Sequence, residues 1–185
     1  MKRYTYYIIA LLTLFTACGD VEYEFSNFPC NFVFNNTGNK SAALASAINP
    51  NSPGIFCRVR QSGNYFIFDN NQGLSDRVVQ DAIDQQATVV LGQYNETGII
   101  IGYGNAGYPY VFYAYDSQCP NCYSQSNGLP RYALTVKGDG TAECGSCGRR
   151  YNLNNGGYII DGDKGDKLIR YNAFVSGDLV RVINK

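Results

Sequence analysis

Histidine is absent from all 185 residues. Without it no Ser-His-Asp or Cys-His nucleophile system, no imidazole general base and no His-ligated metal can be assembled. Charge of a dominant sign is also missing: 15 Lys and Arg stand against 15 Asp and Glu. A protein that binds nucleic acid gains most of its affinity from clustered cations on phosphates, so a nucleic-acid partner is excluded. No apolar run reaches the roughly 20 residues of a spanning helix. No linker, repeat or low-complexity tract divides the chain from Phe28 onward, and the length suits one domain or two small ones. Acidic residues are scattered, so spacing alone neither forms nor excludes a carboxylate pair of the glycosidase type. No catalytic constellation is found.

The N-terminus reads as an address. Lys2 and Arg3 give a positive start, Tyr6 to Leu14 is apolar, and Phe15-Thr16-Ala17 leads to Cys18. These are the three regions of a secretory signal peptide, residues 1–17. The segment resembles the lipobox of bacterial lipoproteins, with Phe15 in place of the usual Leu, which implies cleavage before Cys18 and lipidation of that cysteine. The alternative is an ordinary secreted protein with Cys18 as a leftover thiol. Several acyl chains would hold the mature chain on a membrane surface. Residues 18–27, with Asp20, Glu22 and Glu24, form an acidic tether similar to the export signal of surface-exposed lipoproteins. The expected location is the bacterial cell envelope, at the outer membrane or cell surface.

The remainder, 28–185, alternates short β-branched or aromatic runs with Gly, Asn, Asp and Pro, the pattern of an antiparallel all-β sandwich or barrel. Strands are predicted at 31–34, 55–59, 65–68, 88–91, 99–103, 111–115, 131–136, 168–174 and 179–183. Two short inserted helices are expected. One spans Ser41 to Ile48, and the other Ser75 to Gln86, where Val78, Val79, Ala82 and Ile83 share a helical face. The 16 tyrosines are distributed through strands, which favours half-buried strand positions over an exposed sugar-binding row.

Seven cysteines need individual assignments. Cys119-Pro120-Asn121-Cys122 and Cys144-Gly145-Ser146-Cys147-Gly148 are two Cys-x2-Cys pairs separated by 21 residues, 123 to 143. Two residues between thiolates permit a tight turn with both sulfurs aimed at one ion. Pro120 stiffens one turn, and Gly148 permits the sharp exit of the other. Cys119, Cys122, Cys144 and Cys147 thus make a candidate tetrahedral metal site for zinc, with a single iron or a [2Fe-2S] cluster as alternatives. Zinc is favoured because a diiron cluster spreads its ligand pairs further apart. In an oxidising compartment the four could instead form disulfides. Lys137, Arg149 and Arg150 lie near enough in sequence to offset thiolate charge, or to be ordinary surface cations. Cys30 and Cys57 remain, and an even remainder in an exported protein predicts a disulfide, worth about 3 kcal/mol through loop entropy.

The run Tyr113-Ala114-Tyr115-Asp116 into Cys119-Pro120, then Cys144-Gly145-Ser146-Cys147-Gly148-Arg149-Arg150-Tyr151, Asn155-Gly156, Leu168-Ile169-Arg170-Tyr171 and Val180-Arg181-Val182, resembles a Rieske domain. That family carries Cys-x-His and Cys-x-x-His-Gly boxes. Here Cys147 stands at the second histidine, and Cys122 lies one place beyond the first. The resemblance implies a β framework with a small rubredoxin- or zinc-ribbon-like metal subdomain at about 116–157. It does not imply the usual cluster, which needs two imidazoles on one iron. A binding partner or a redox mate is implied by neither motif.

Two other motifs carry no chemistry. Asp161-Gly162-Asp163-Lys164-Gly165-Asp166 alternates carboxylates but lacks the bidentate Glu of a calcium loop, and reads as a turn. The glycines around Gly104 precede no helix that could receive a phosphate.

Overall fold

The computed structural model describes residues 24–126 and 132–184. The expected signal peptide, Cys18 and the first part of the expected tether lie outside them. Among the described residues no helix is long and apolar enough to cross a membrane.

The described chain is mostly β. Twelve strands form three antiparallel sheets: β1 (Cys30–Asn35), β2 (Phe56–Ser62), β3 (Tyr65–Asn70), β4 (Ser75–Val79), β5 (Ile99–Tyr103), β6 (Phe112–Asp116), β7 (Thr135–Val136), β8 (Thr141–Glu143), β9 (Arg150–Asn152), β10 (Ile159–Asp161), β11 (Ala173–Ser176) and β12 (Leu179–Asn184). Their orders are β1-β12-β11, β4-β3-β2-β5-β6 and β10-β9-β8-β7. Three short helices join them: α1 (Ala42–Ala47), α2 (Ala82–Gln86) and α3 (Pro120–Gln125).

The five-stranded sheet is the middle layer, because side chains alternate across a strand. Cys57, Val59, Phe66, Phe68, Ile99, Ile101 and Ala114 face one core, shared with α1 and the three-stranded sheet. Phe56, Ile100, Tyr113 and Tyr115 face the other core, shared with the four cysteines. Burial on both faces is why Ile99 to Ile101 is a continuous apolar run. In the first core Phe32, Phe34, Phe66 and Phe68 interlock, three of their contacts being Phe32 edge-on to Phe66 at 5.5 Å, Phe34 edge-on to Phe66 at 5.8 Å and Phe34 tilted against Phe68 at 5.0 Å.

The helix expected at 41–48 forms, with the Ser41 hydroxyl accepting from Leu44 N at its start. The helix expected over Ser75 to Gln86 does not form as one element. Residues 75–79 instead pair with β3 in full register. The Asp76 carboxylate reaches across to accept from Ser41 Oγ at 3.0 Å and Ala43 N at 2.8 Å. Helix begins only at Ala82, behind an Asp81 capping box, and Ile83 of the expected apolar face is exposed. Edge pairing and the cap across α1 outweigh the helical spacing. The strand expected at 88–91 is reduced to one bridge, Val90 with Asn31, and that expected at 168–174 begins at Ala173.

The predicted Cys30–Cys57 disulfide is absent, and both residues are free, fully buried thiols. Cys30 opens β1 opposite Asn184, whereas Cys57 lies mid-sheet between Asn70 and Ile101. Each strand is held by its own ladder without a bridge, and the sulfurs act as small apolar filler. Burial pushes the Cys30 thiol up to about 12 and that of Cys57 well above its ordinary value.

Candidate metal centre

The route to the site starts at a buried carboxylate. Asp116 ends β6, and its Oδ1 accepts from Gln118 N at 2.8 Å while its Oδ2 accepts from Gln93 N at 2.8 Å and the Tyr171 hydroxyl at 2.7 Å. That turn delivers Cys119 to the start of α3, where Pro120 occupies the first turn and the missing N–H costs nothing. Cys119 makes no side-chain cap, so its sulfur remains available. The second box is a tight turn between β8 and β9. Cys144 N donates to Arg149 O at 3.0 Å and Gly148 N to Cys144 O at 2.9 Å. Gly148 has φ of 72°, the left-handed exit that its sequence position predicts.

The two turns face one another, and the four Sγ atoms of Cys119, Cys122, Cys144 and Cys147 all lie within 4.8 Å of each other. The closest approaches cross between boxes: Cys119 to Cys147 at 3.8 Å and Cys122 to Cys144 at 3.7 Å. A disulfide would need about 2.05 Å. Zinc bonded to sulfur at about 2.3 Å sets tetrahedral sulfurs about 3.8 Å apart. The four cysteines therefore form a group that could hold a metal ion.

No family model, curated protein or solved structure matches this chain. The site is read from its own chemistry.

Around the sulfurs runs a support that the spacing of cysteines does not reveal. Asn121 Nδ2 donates to the Tyr151 hydroxyl at 2.9 Å, and that oxygen lies 3.2 Å from Cys119 Sγ, placed to donate its proton to a thiolate. Asn121 also clasps loop 161–166 across both backbone atoms of Asp166, at 2.8 and 2.9 Å. Gly165 makes that approach possible, since a Cβ there would sit 2.1 Å from Asn121 Oδ1. Tyr151 is completely buried. Its place one residue beyond an Arg-Arg pair gave no sign of this role. Such partners fix the orientation of metal ligands. Tyr151→Phe, which removes only the hydroxyl, is expected to lower metal affinity 10- to 100-fold, read by competition with a chromophoric chelator.

Three nearby cations separate into different roles. Lys137 pairs with Glu143 at 3.0 Å and Arg150 with Asp139 at 3.1 Å, both at the surface. Arg149 alone acts at the cage. Its guanidinium donates to the carbonyls of Asp163 and Lys164 at 2.9 and 3.2 Å. Partial burial acts to raise Cys147, yet the backbone N–H and side chain of Arg149, with smaller help from Cys122 and Cys144, pull it down to about 6. Burial drives Cys119 and Cys122 the other way, upward. A metal entering at neutral pH therefore displaces protons from those two thiols. Cys147 is also the most exposed of the four, the others being buried.

The acidic segment 161–166 is held beside the cage by Asn121 and Arg149. Its carboxylates gather no metal-ligand set, and among the described residues the only group suited to a metal is the four cysteines.

Proposed function

We propose that this protein is a membrane-anchored lipoprotein of the bacterial cell envelope, lipidated at Cys18, whose Rieske-like domain carries a structural zinc on Cys119, Cys122, Cys144 and Cys147 and works by binding rather than catalysis. The observation that carries the zinc reading is the sulfur spacing. Cross-box distances of 3.7 and 3.8 Å match the edge of a tetrahedron around one ion. A [2Fe-2S] cluster would hold its two sulfur pairs well beyond the 4.8 Å within which all four sulfurs lie. With four protein sulfurs filling the coordination sphere, no position remains for water or substrate, and zinc so held fixes the two turns without redox chemistry. The Rieske-like reading is supported by three antiparallel sheets and by two cysteine boxes on separate connections, one between β6 and β7 and one between β8 and β9. Lipidation and the envelope location rest on the N-terminal residues alone.

One observation favours a second reading, an electron carrier with a single rubredoxin-like iron. The partly exposed Cys147 offers an electron a short way out, and tetrahedral sulfur suits iron as well as zinc. Anaerobic purification of the unlipidated protein, with zinc, iron and acid-labile sulfide measured per chain alongside a visible spectrum, separates the two. Zinc at about one per chain in a colourless sample is expected. Iron with a strong visible band makes the protein an electron carrier, with sulfide marking a cluster, and a metal-free sample with oxidised cysteines defeats both.

A further inference from the structure

A cleft crosses the surface beside β6 and the segment 165–170. Three adjoining hollows, of 200, 290 and 350 Å³, compose it. The first two share Tyr113 and Asn155, and the second and third share Glu24, Tyr158, Lys167 and Arg170. Aromatic rings stand along it. Tyr108 is 89% exposed, with Tyr110 edge-on at 5.7 Å. Tyr158 is 49% exposed, and Lys167 Nζ lies 5.2 Å from its ring centre. Rings this open beside a cleft offer flat faces on which a ligand can stack.

We propose that this cleft binds a neutral oligosaccharide, which names the ligand class for the binding role proposed above and rests on that role, not on the identity of the metal. Three features select this chemistry. A pyranose offers a C–H face that packs on tyrosine and a rim of hydroxyls that both donate and accept. The cleft supplies both kinds of partner: Glu24 and Asp166 accept, Lys167 and Arg170 donate, and the Asn155 amide does either. The two carboxylates balance the two cations, so the cleft exerts no net pull on a polyanion or polycation. An extended peptide would instead need an unpaired strand edge. Here that edge is already used, with Tyr171 N donating to Ala114 O at 2.8 Å and Asp116 N to Ile169 O at 2.9 Å. The Arg170–Glu24 pair and the guanidinium 4.6 Å above the Tyr113 ring hold the cleft floor in place before any ligand arrives.

Titration calorimetry of the metal-loaded protein with cellohexaose, xylohexaose, mannohexaose and maltohexaose tests this. At least one is expected to bind with a Kd below about 1 mM, unchanged by added salt. Tyr108→Ala and Tyr158→Ala should each weaken it roughly tenfold, the scale of one lost aromatic contact, while Tyr158→Phe keeps most of the affinity. Both rings are exposed, and thermal melting with metal content confirms that each variant stays folded. Should a variant melt early, Asn155→Ala replaces it, with the same loss expected. The proposal is overturned if no hexaose binds, if binding survives the ring deletions, or if an unstructured polypeptide competes for the cleft. Metal analysis of the same samples keeps a failure here separate from a failure of the zinc reading.

Discussion

Cys144→Ser is expected to empty the metal site and to melt the four-stranded sheet while leaving the five-stranded sheet folded. The strands β7 to β10 hold two or three residues each, too few for backbone pairing to stand alone. Much of what lies beneath them is the cage itself: Cys119, Cys122 and Cys144 are members of the second core, beside Tyr151, Ala142 and Leu153. In small metal-bound units the metal's binding energy is folding energy, so the loss of one thiolate is expected to cost on the order of 5 kcal/mol locally. Hydrogen exchange reads the result directly. Amides of Ala142 and Tyr151 should lose protection, and those of Ile99 and Ile101 should keep it, because their side chains pack in the first core, apart from the cysteines. Retained metal and unchanged exchange in the variant would show that the Cys144 thiolate neither holds the metal nor supports this sheet.

Asp116→Ala is expected to be the most damaging single change outside the cage. Its carboxylate satisfies three donors inside the protein, and removal strands the Tyr171 hydroxyl and the N–H groups of Gln93 and Gln118. At about 1 to 3 kcal/mol for each buried donor left unmatched, with partial relaxation, the loss should reach about 3 to 5 kcal/mol. The Gln118 bond also sets the turn into Cys119, so metal affinity should fall with stability. Asp116→Asn keeps the shape and should cost less. The pair also tests a pH effect. Burial raises the Asp116 carboxyl above its ordinary value, against the opposing pull of Tyr171, Gln93 and Gln118. A carboxyl raised on folding binds its proton more tightly in the native state. Its contribution is complete below the unfolded value near 3.9 and declines as pH climbs through the native value. The stability advantage of the native protein over Asp116→Asn should therefore shrink as pH rises from about 4, in denaturation curves recorded across that range. An advantage that grows with pH would mean the three donors outweigh burial.

The sequence was most readable where one physical cause acted alone. Alternation and two-sided burial made β2, β3, β5 and β12 visible as apolar or aromatic runs, and the paired cysteine boxes announced a cage that the fold assembles. Reading failed where a remote contact decided. Val78, Val79, Ala82 and Ile83 fit a helical face, yet the pairing of residues 75–79 with β3 and the contact of Asp76 with Ser41 and Ala43 made a strand. Strands β8, β9 and β10, of three residues each, are too short to show a period, and they pack around the cage and second core. Counting cysteines predicted a bridge between Cys30 and Cys57, but parity carries no geometry, and the two lie on different strands without bonding. Tyr151 and Asn121 were in plain view within the motif, but their link to Cys119 is a matter of three-dimensional reach alone.

The central claim is a single metal ion held by four sulfurs. X-ray absorption at the edge of whichever metal the purified protein contains addresses it most directly. The account predicts a zinc signal with four sulfurs at about 2.3 Å and no lighter ligand. A nitrogen or oxygen in the first shell, or a neighbouring iron, would contradict it.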